Sequence, residues 1–318
     1  MSGGGCGRVI PAPPPTVRDP ARYAPVFVLA SARSYSSIVS MMIGQHPDLF
    51  GAPELKLFAY PTLAELDASL PIEARRRGFT HRSPGLVRAV AELEFGAQTR
   101  QALTAAGRWL AERGDWTGAD VLDLLMARIS PRAVVEKSPE HVSEPGALAR
   151  LAAAYPRAWY IHLTRHPVGT IRSMHEHLLR NLPGYPAGDF TRDCIAAWLH
   201  AHHRIVAFAS RVPAERWLRL RAEDVLNDPT PHLVAVAKWL EIASEAGAID
   251  AMRHPERSPF ACFAPAASGV IGGSDPAFLR DPRPHRVVEE RNVHPRQLRS
   301  ADPALWAKVQ RATHELGY

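Results

Sequence analysis

The chain has 318 residues, of which 46% are apolar and 22% charged, and its formal net charge is +6. These values are ordinary for a globular protein and provide enough apolar residues for a full hydrophobic core. The positive charge favours an anionic partner, such as a nucleic acid, an anionic lipid or a nucleotide-like substrate, and the lack of a run of about 18 apolar residues argues against a membrane-spanning helix.

The first 20 residues are rich in Gly and Pro, lack the pattern of a signal peptide, and predict a disordered leader over 1–20. An apolar run at 26–30 then predicts a buried strand, and the helical spacing of apolar residues at 36–45 predicts a helix after a polar loop. Further strands are predicted at 133–136, 158–163 and 217–220, and further helices at 85–95, 100–112, 118–128, 147–154, 167–179, 231–242 and 303–316.

Short apolar strands that alternate with helices are typical of an α/β fold with a mostly parallel central sheet flanked by helices. No repeat or linker divides the chain, so residues 21–318 are predicted to form a single domain. The stretch 255–302 is rich in Pro, Arg and His. It is predicted to be a long loop that is either ordered over the site or flexible.

The three cysteines, Cys6, Cys194 and Cys262, are an odd number and lack the spacing of metal ligands. A disulfide framework is therefore not expected, and a reducing cytoplasmic location is favoured.

A loop of small polar residues, SARSYSS at 31–37, follows the first predicted strand. Backbone N–H groups at a helix start, with the hydroxyls of Ser34, Ser36 and Ser37 and the charge of Arg33, are typical of a phosphate site. The alternative is an ordinary serine-rich N-cap. The Walker pattern GxxxxGK[ST] is absent, which argues against a common ATPase or GTPase.

A second candidate anion site lies between the strand at 158–163 and the following helix. Arg165 follows the strand, at the edge where open α/β sheets bind ligands, and Ser173 lies about two turns into the helix. A guanidinium and a hydroxyl placed in this way can grip one phosphate from two sides. The alternative is an arginine that pairs with a carboxylate and a serine that faces solvent.

Together the two motifs resemble those of the superfamily of sulfotransferases that use 3′-phosphoadenosine-5′-phosphosulfate (PAPS). RSYSS at 33–37 is similar to the family's KSGTT or RSGSS loop, which holds the 5′-phosphosulfate. Arg165 and Ser173 are similar to its Arg-x7-Ser element, which holds the 3′-phosphate. The resemblance runs from about residue 25 to about residue 230 and implies a P-loop-like sulfotransferase fold.

Three shorter segments narrow the resemblance. HPDLFGAPELKLF at 46–58 and EKSP at 136–139 are similar to segments of bacterial sulfotransferases. SPGLVRAVAEL at 83–93 resembles the sulfotransferase domains of polyketide synthases, which sulfate a β-hydroxyacyl chain on a carrier protein.

Two residues depart from the family pattern. Tyr35 stands where the family loop has glycine, and Ala222 stands where the family's R-Y-E-D segment has tyrosine. A tyrosine at positive φ would be strained and would crowd the phosphate. Ala222 has no ring with which to contact adenine.

The resemblance implies that the protein moves a sulfuryl group from PAPS to a hydroxyl and leaves 3′,5′-ADP, with no metal. The expected nucleotide-binding residues are Arg33, Ser34, Tyr35, Ser36, Ser37, Arg165, Ser173, Arg221 and Gly273. A C-terminal loop with Gly272, Gly273 and residues 280–286 is expected to close over the nucleotide.

The candidate catalytic residues are Glu54, Arg33 and Lys137. Glu54 is the candidate base because its segment follows the phosphate-loop helix, and the two cations are expected to neutralise the leaving nucleotide. The lysine–threonine–histidine segment of the cytosolic family members looks replaced by Lys-Ser-Pro at 137–139, so its histidine is absent. Rival bases, because histidine is the commonest general base near neutral pH, are His81, His141, His285 and His294.

The acceptor implied by the resemblance is a hydroxylated small molecule or a carrier-bound β-hydroxyacyl chain, and the arginines at 75–77 are candidates to attract an acidic carrier. Two alternatives stay open. One is a nucleotide-binding pseudoenzyme, which Tyr35 and Ala222 favour. The other is a kinase with a degenerate P-loop, which the lack of a loop lysine disfavours. Nucleic acid is not expected as a partner, because the arginines are scattered without an aromatic–basic motif.

Overall fold

The computed structural model describes residues 24–76, 81–181, 190–270, 272–288 and 302–318. Five strands form one sheet in the order β2-β3-β1-β4-β5, and every neighbouring pair is parallel. The strands are β1 (Val26–Leu29), β2 (Leu49–Gly51), β3 (Ala133–Glu136), β4 (Trp159–Thr164) and β5 (Trp217–Arg221). The predicted α/β fold with a parallel sheet is confirmed, and the predicted leader at 1–20 lies outside the described residues.

Helices cover the sheet and fill the connections between strands. Those before β4 are α1 (Ser36–Gly44), α2 (Leu63–Ala68), α3 (Ile72–Arg76), α4 (Pro84–Phe95), α5 (Arg100–Ala111), α6 (Gly118–Ile129), α7 (Glu140–Ser143) and α8 (Ala147–Ala154). Those after it are α9 (Pro167–Asn181), α10 (Phe190–Ala209), α11 (Ala222–Asn227), α12 (Pro229–Trp239), α13 (Ala246–Met252), α14 (Pro276–Arg280) and α15 (Pro303–Glu315).

The central strand β1 is buried on both faces, which explains its unbroken apolar sequence VFVL. Successive side chains of a strand point to opposite faces. Accordingly, Phe27 and Leu29 join the larger hydrophobic core with α4, α5 and α6, while Val26 and Val28 join a second core with α11 and α12. Burial on both sides fixes the register of β1, so the loop that follows it leaves the sheet at a defined point.

The strand that follows α1, β2, was not predicted, because its three residues carry too little pattern to distinguish them from a loop. The 20-residue helix α10 was also not predicted, although its spacing is helical. The predicted loop at 255–302 contains the short helix α14 and two 3-10 turns within its described part. In the described ranges, we find no helix that is long and apolar enough to cross a membrane.

Candidate functional site

The loop between β1 and α1 lies at the carboxyl edge of the sheet, between the ends of β3 and β4. Two of its non-glycine residues have positive φ, Arg33 at 66° and Tyr35 at 57°. The buried hydroxyls of Ser31 and Ser34 share a hydrogen bond of 2.8 Å across the loop. Tyr35 occupies the N-cap position of α1 and gives no side-chain hydrogen bond there. An anion could therefore approach the first-turn amides of the helix.

The strained backbone of Tyr35 places its ring against Arg165. The left-handed conformation costs a non-glycine residue about 1–2 kcal/mol. The guanidinium of Arg165 lies 4.0 Å from the centre of the Tyr35 ring, a cation–π contact that recovers about 0.5–2 kcal/mol. The positive φ that the family's glycine suggested at this position is thus confirmed, and the ring serves as a platform for an arginine.

Arg165 and Ser173 meet the loop from the β4 side. The Nη1 group of Arg165 donates to the carbonyl oxygen of Arg33 at 2.7 Å, and Ser173 Oγ accepts a hydrogen bond from Arg33 Nε at 3.1 Å. A side chain at Gly169 would place its Cβ 3.1 Å from Arg165 Nη2, so glycine lets α9 pack directly on the guanidinium. These groups surround a cavity of about 210 Å³, lined by Arg33, Tyr35, Arg165, Arg172, Ser173, Glu176, Asp275 and Ala277.

Lys137 and Glu54 meet the same loop from the β3 side. Lys137 follows β3, its side chain is 4% exposed, and it forms an ion pair with Glu54. Lys137 Nζ also donates to Ser37 Oγ at 2.9 Å, in the first turn of α1. The predicted candidates for base and cation are therefore neighbours, and both adjoin the candidate phosphate loop.

The backbone around Glu54 is held by close contacts with two distant segments. Its amide donates to the carbonyl of Gly273 at 2.9 Å, and a Cβ on Gly85 would lie 2.2 Å from the Glu54 carbonyl oxygen. Ser83 Oγ, at the start of α4, donates to the same carbonyl at 3.1 Å. The carboxylate of Glu54 thus extends from a fixed main chain.

A buried network behind Lys137 was not predicted. Glu136 accepts hydrogen bonds from the Leu55 amide at 3.0 Å, from the Ser138 hydroxyl and from the His141 ring. Burial acts to raise the pKa of Glu136, but His141, Ser138 and the amide outweigh it and hold that pKa below its usual value. The network joins the end of β3 to the segment after Glu54. An acid followed by lysine at a strand end was the only sequence signal for it.

Asp275, before α14, is a further site residue that sequence reasoning missed. Its carboxylate forms an ion pair with Arg33, and its amide donates to Ser37 Oγ at 3.3 Å. Burial acts to raise the pKa of Asp275, but the adjacent Arg33 guanidinium holds it below its usual value. The two partners are 242 positions apart in the sequence, which explains why spacing gave no signal.

The other predicted binding residues are partly dispersed. Ser36 is buried in the first turn of α1, whereas Arg221 pairs with Asp224 at 3.7 Å and lies 4.4 Å from the Tyr318 ring. Tyr318 donates to Glu223 at 3.0 Å. An aromatic ring from beyond α15 therefore contacts the residues on either side of Ala222.

None of the three rival histidines in the described residues contacts the candidate base. His81 lines a separate cavity, and its pKa is lowered by burial, against the opposing effect of Asp67. His141 is fully buried in the network with Glu136, and His285 is exposed and contacts Asp281 at 2.8 Å. His294 and Arg77 lie outside the described residues, as does the side chain of Arg75.

The chain is similar to known proteins in its sequence and in its fold. A family described as "Sulfotransferase family" matches residues 25–246, whereas no curated protein sequence matches the chain. The structure of the sulfotransferase domain from the curacin biosynthetic pathway is similar with a TM-score of 0.71 at 24% identity, over 93% of this chain and 98% of that chain.

Two further solved structures are similar. The sulfotransferase domain from the olefin synthase of Synechococcus PCC 7002 has a TM-score of 0.68 at 23% identity, over 95% of this chain and 98% of that one. A mouse sulfotransferase complexed with PAP has a TM-score of 0.51 at 14% identity, over 93% and 89%. At these identities, the three structures establish the fold.

Proposed function

The chain belongs to the sulfotransferase family, and from this premise we propose that it transfers the sulfuryl group of PAPS to an acceptor hydroxyl. The observation that carries the proposal is the convergence of Lys137 and Arg165, from strands on either side of β1, on the loop that opens α1. Several cationic groups around one helix start are suited to a ligand with separate phosphate groups.

The residues present fit such a nucleotide. In the proposal, Arg165, Ser173 and Arg33, which surround the cavity, hold the 3′-phosphate. The amides of the first turn of α1, with Ser36 and Ser37, hold the 5′-phosphosulfate. PAPS supplies the sulfuryl group when it is bound.

We assign charge stabilisation at the leaving oxygen first to Lys137. Its Nζ already contacts Ser37 of the loop, whereas Arg33 is engaged with Ser173 and Asp275. Of the two cations that the resemblance implies for this step, Lys137 is favoured, because its partners Ser37 and Glu54 both adjoin the loop. A buried ammonium that meets developing negative charge contributes more than one in water.

Glu54 is the proposed base. The acceptor oxygen bonds to sulfur while Glu54 takes its proton, and the bond between sulfur and the nucleotide oxygen breaks to leave 3′,5′-ADP. The ion pair with Lys137 keeps the carboxylate beside the loop. The fixed backbone of Glu54 then positions its carboxylate to take the proton as the acceptor oxygen attacks sulfur.

The first test is calorimetric titration of 3′,5′-ADP into the wild type and into Arg165→Ala. We expect the variant to bind about 10- to 150-fold more weakly, the value of one lost charged hydrogen-bonding partner. Arg253→Ala is the control and should bind as the wild type does, because this half-exposed arginine lies at the end of α13 and contacts Asp250. Absence of wild-type binding would contradict the proposal.

The second test separates binding from chemistry. Glu54→Gln should bind 3′,5′-ADP normally but turn over at least about 100-fold more slowly, as expected for loss of a general base. Glu65→Gln, an exposed residue of α2, is the control. Near-normal turnover of Glu54→Gln would remove Glu54 from the role of base.

For the acceptor, we propose a hydroxyl on a carrier-bound chain. The similarity to the curacin and olefin synthase domains, both named for biosynthetic systems, supports this class. The test compares a β-hydroxyacyl chain on an acyl carrier protein with the same chain on pantetheine, using the wild type and Arg76→Glu. Because Arg76 is exposed, its reversal should lower activity on the protein-bound chain but not on the pantetheine-bound chain. Equal activity of wild type and Arg76→Glu on the protein-bound chain would reject this docking role.

A further inference from the structure

Asp275 places a carboxylate in the cavity that is also lined by Arg33, Arg165 and Arg172. Its Oδ2 pairs with Arg33, while its Oδ1 accepts the Ala277 amide at 2.9 Å and so caps α14. The side chains of Asp275 and Arg33 are only 23% and 20% exposed. One side chain therefore serves both a helix cap and a partly buried ion pair.

The surroundings of this carboxylate are those expected for a bound anion. Arg33 contacts it directly, and Lys137 acts on it through space. The amide of the same residue donates to Ser37 of the candidate phosphate loop. The segment that carries Asp275 follows Gly272 and Gly273, whose φ values of 93° and 97° favour glycine.

We propose that Asp275 is an internal competitor for the phosphate site, which sets nucleotide affinity by occupying Arg33 with its own carboxylate. The inference rests on the proposed function. An incoming phosphate that engages Arg33 must replace this carboxylate or share the guanidinium with it. Either course costs the ligand part of its interaction energy, because two anions then compete for one buried cation.

The proposal predicts the direction in which affinity for phosphate ligands changes. Removing the negative charge should tighten binding of phosphate ligands, whereas removing a residue that merely orients Arg33 would weaken it. Asp275→Asn isolates the charge, because asparagine is as good an N-cap as aspartate and preserves the bond to Ala277. Asp275→Ser, which also caps, provides a second variant of different size.

The matched control is Asp302→Asn. Asp302 caps α15 by accepting the Leu305 amide at 3.0 Å and lies 3.7 Å from Arg192. It therefore has the same two roles, a helix cap and an ion pair, outside the cavity. Thermal denaturation of each variant checks that the fold is retained.

Calorimetry with 3′,5′-ADP and with inorganic phosphate, at one ionic strength, tests the proposal. For both ligands we expect Asp275→Asn and Asp275→Ser to bind on the order of tenfold more tightly than the wild type, the scale of one charged hydrogen bond. Asp302→Asn should match the wild type. Unchanged or weaker binding by both Asp275 variants would overturn the proposal.

The two ligands separate this inference from the proposed function. If no variant binds 3′,5′-ADP but the Asp275 variants gain affinity for inorganic phosphate, the nucleotide assignment fails and the competitor role stands. If the wild type binds 3′,5′-ADP and the Asp275 variants bind neither ligand more tightly, the competitor role fails and the nucleotide assignment stands.

Discussion

Acidification from pH 7 to pH 5 should destabilise the protein through a buried histidine pair, His162 in β4 and His202 in α10. His162 Nε2 lies 3.0 Å from His202 Nδ1, and both side chains are almost wholly buried. Burial, then His202 and Arg219, holds the pKa of His162 well below its usual value. Burial, then Arg219 and His203, lowers the pKa of His202 to about 3.

The direction of the change in unfolding free energy follows from the number of protons that the folded and unfolded states bind. Both histidines have a lower pKa in the folded state than in the unfolded state, so below pH 6.5 the unfolded chain binds more protons and stability falls. With a folded pKa of about 3, His202 contributes a loss of about 2 kcal/mol between pH 7 and pH 5. His162 acts in the same direction, and the two titrate as a coupled pair.

Urea unfolding at pH 7, 6 and 5, followed by tryptophan fluorescence, measures this loss. The Trp198 ring, 4.5 Å from that of His202, provides a local signal. His202→Asn keeps a hydrogen-bonding group near Nδ1 but does not titrate, so its loss of unfolding free energy should be smaller by about 2 kcal/mol. His200→Asn, on the exposed side of the same helix, is the control. A wild-type free energy that is unchanged at pH 5, or equal slopes for wild type and His202→Asn, would refute the reasoning.

Two further substitutions test the backbone of the site. Tyr35→Gly relieves about 1–2 kcal/mol of left-handed strain but removes the ring beneath Arg165. Its thermal stability should change little while its affinity for 3′,5′-ADP falls severalfold; tighter binding would show that the ring obstructs the ligand. Gly85→Ala should cost about 1–3 kcal/mol in thermal denaturation and reduce turnover, because its Cβ would overlap the Glu54 carbonyl. Gly247→Ala, with nothing within 4 Å, is the matched control, and equal effects of the two would contradict this account.

Local pattern was sufficient for much of the fold. The strand at 133–136 and the helix at 147–154 have the predicted bounds, because an apolar run and a helical period each determine the local state. The all-parallel order of the sheet, by contrast, depends on which strands meet. The three residues of β2 form a strand only because β3 pairs with them, and no pattern within 49–51 could show that.

The residues of the candidate site likewise fall into those that local sequence predicts and those that depend on tertiary packing. Residues next to strand ends, such as Lys137 and Arg165, could be identified because parallel strands bring their carboxyl ends to one edge. Asp275 and the Glu136–His141 network could not, because their partners are set by how distant segments pack. The sequence also identified Glu54 without its ion pair with Lys137, which only the packing of the segment against β3 shows.

The position of β1 between β3 and β4 has a consequence for the whole sheet. A nucleotide that engages both Lys137 and Arg165 would link β3 to β4, because one residue directly follows each strand. Separating either strand from β1 would then require release of the ligand. Saturating nucleotide should accordingly slow hydrogen exchange along all three strands, down to their buried amino ends, by a factor set by the ratio of its concentration to Kd.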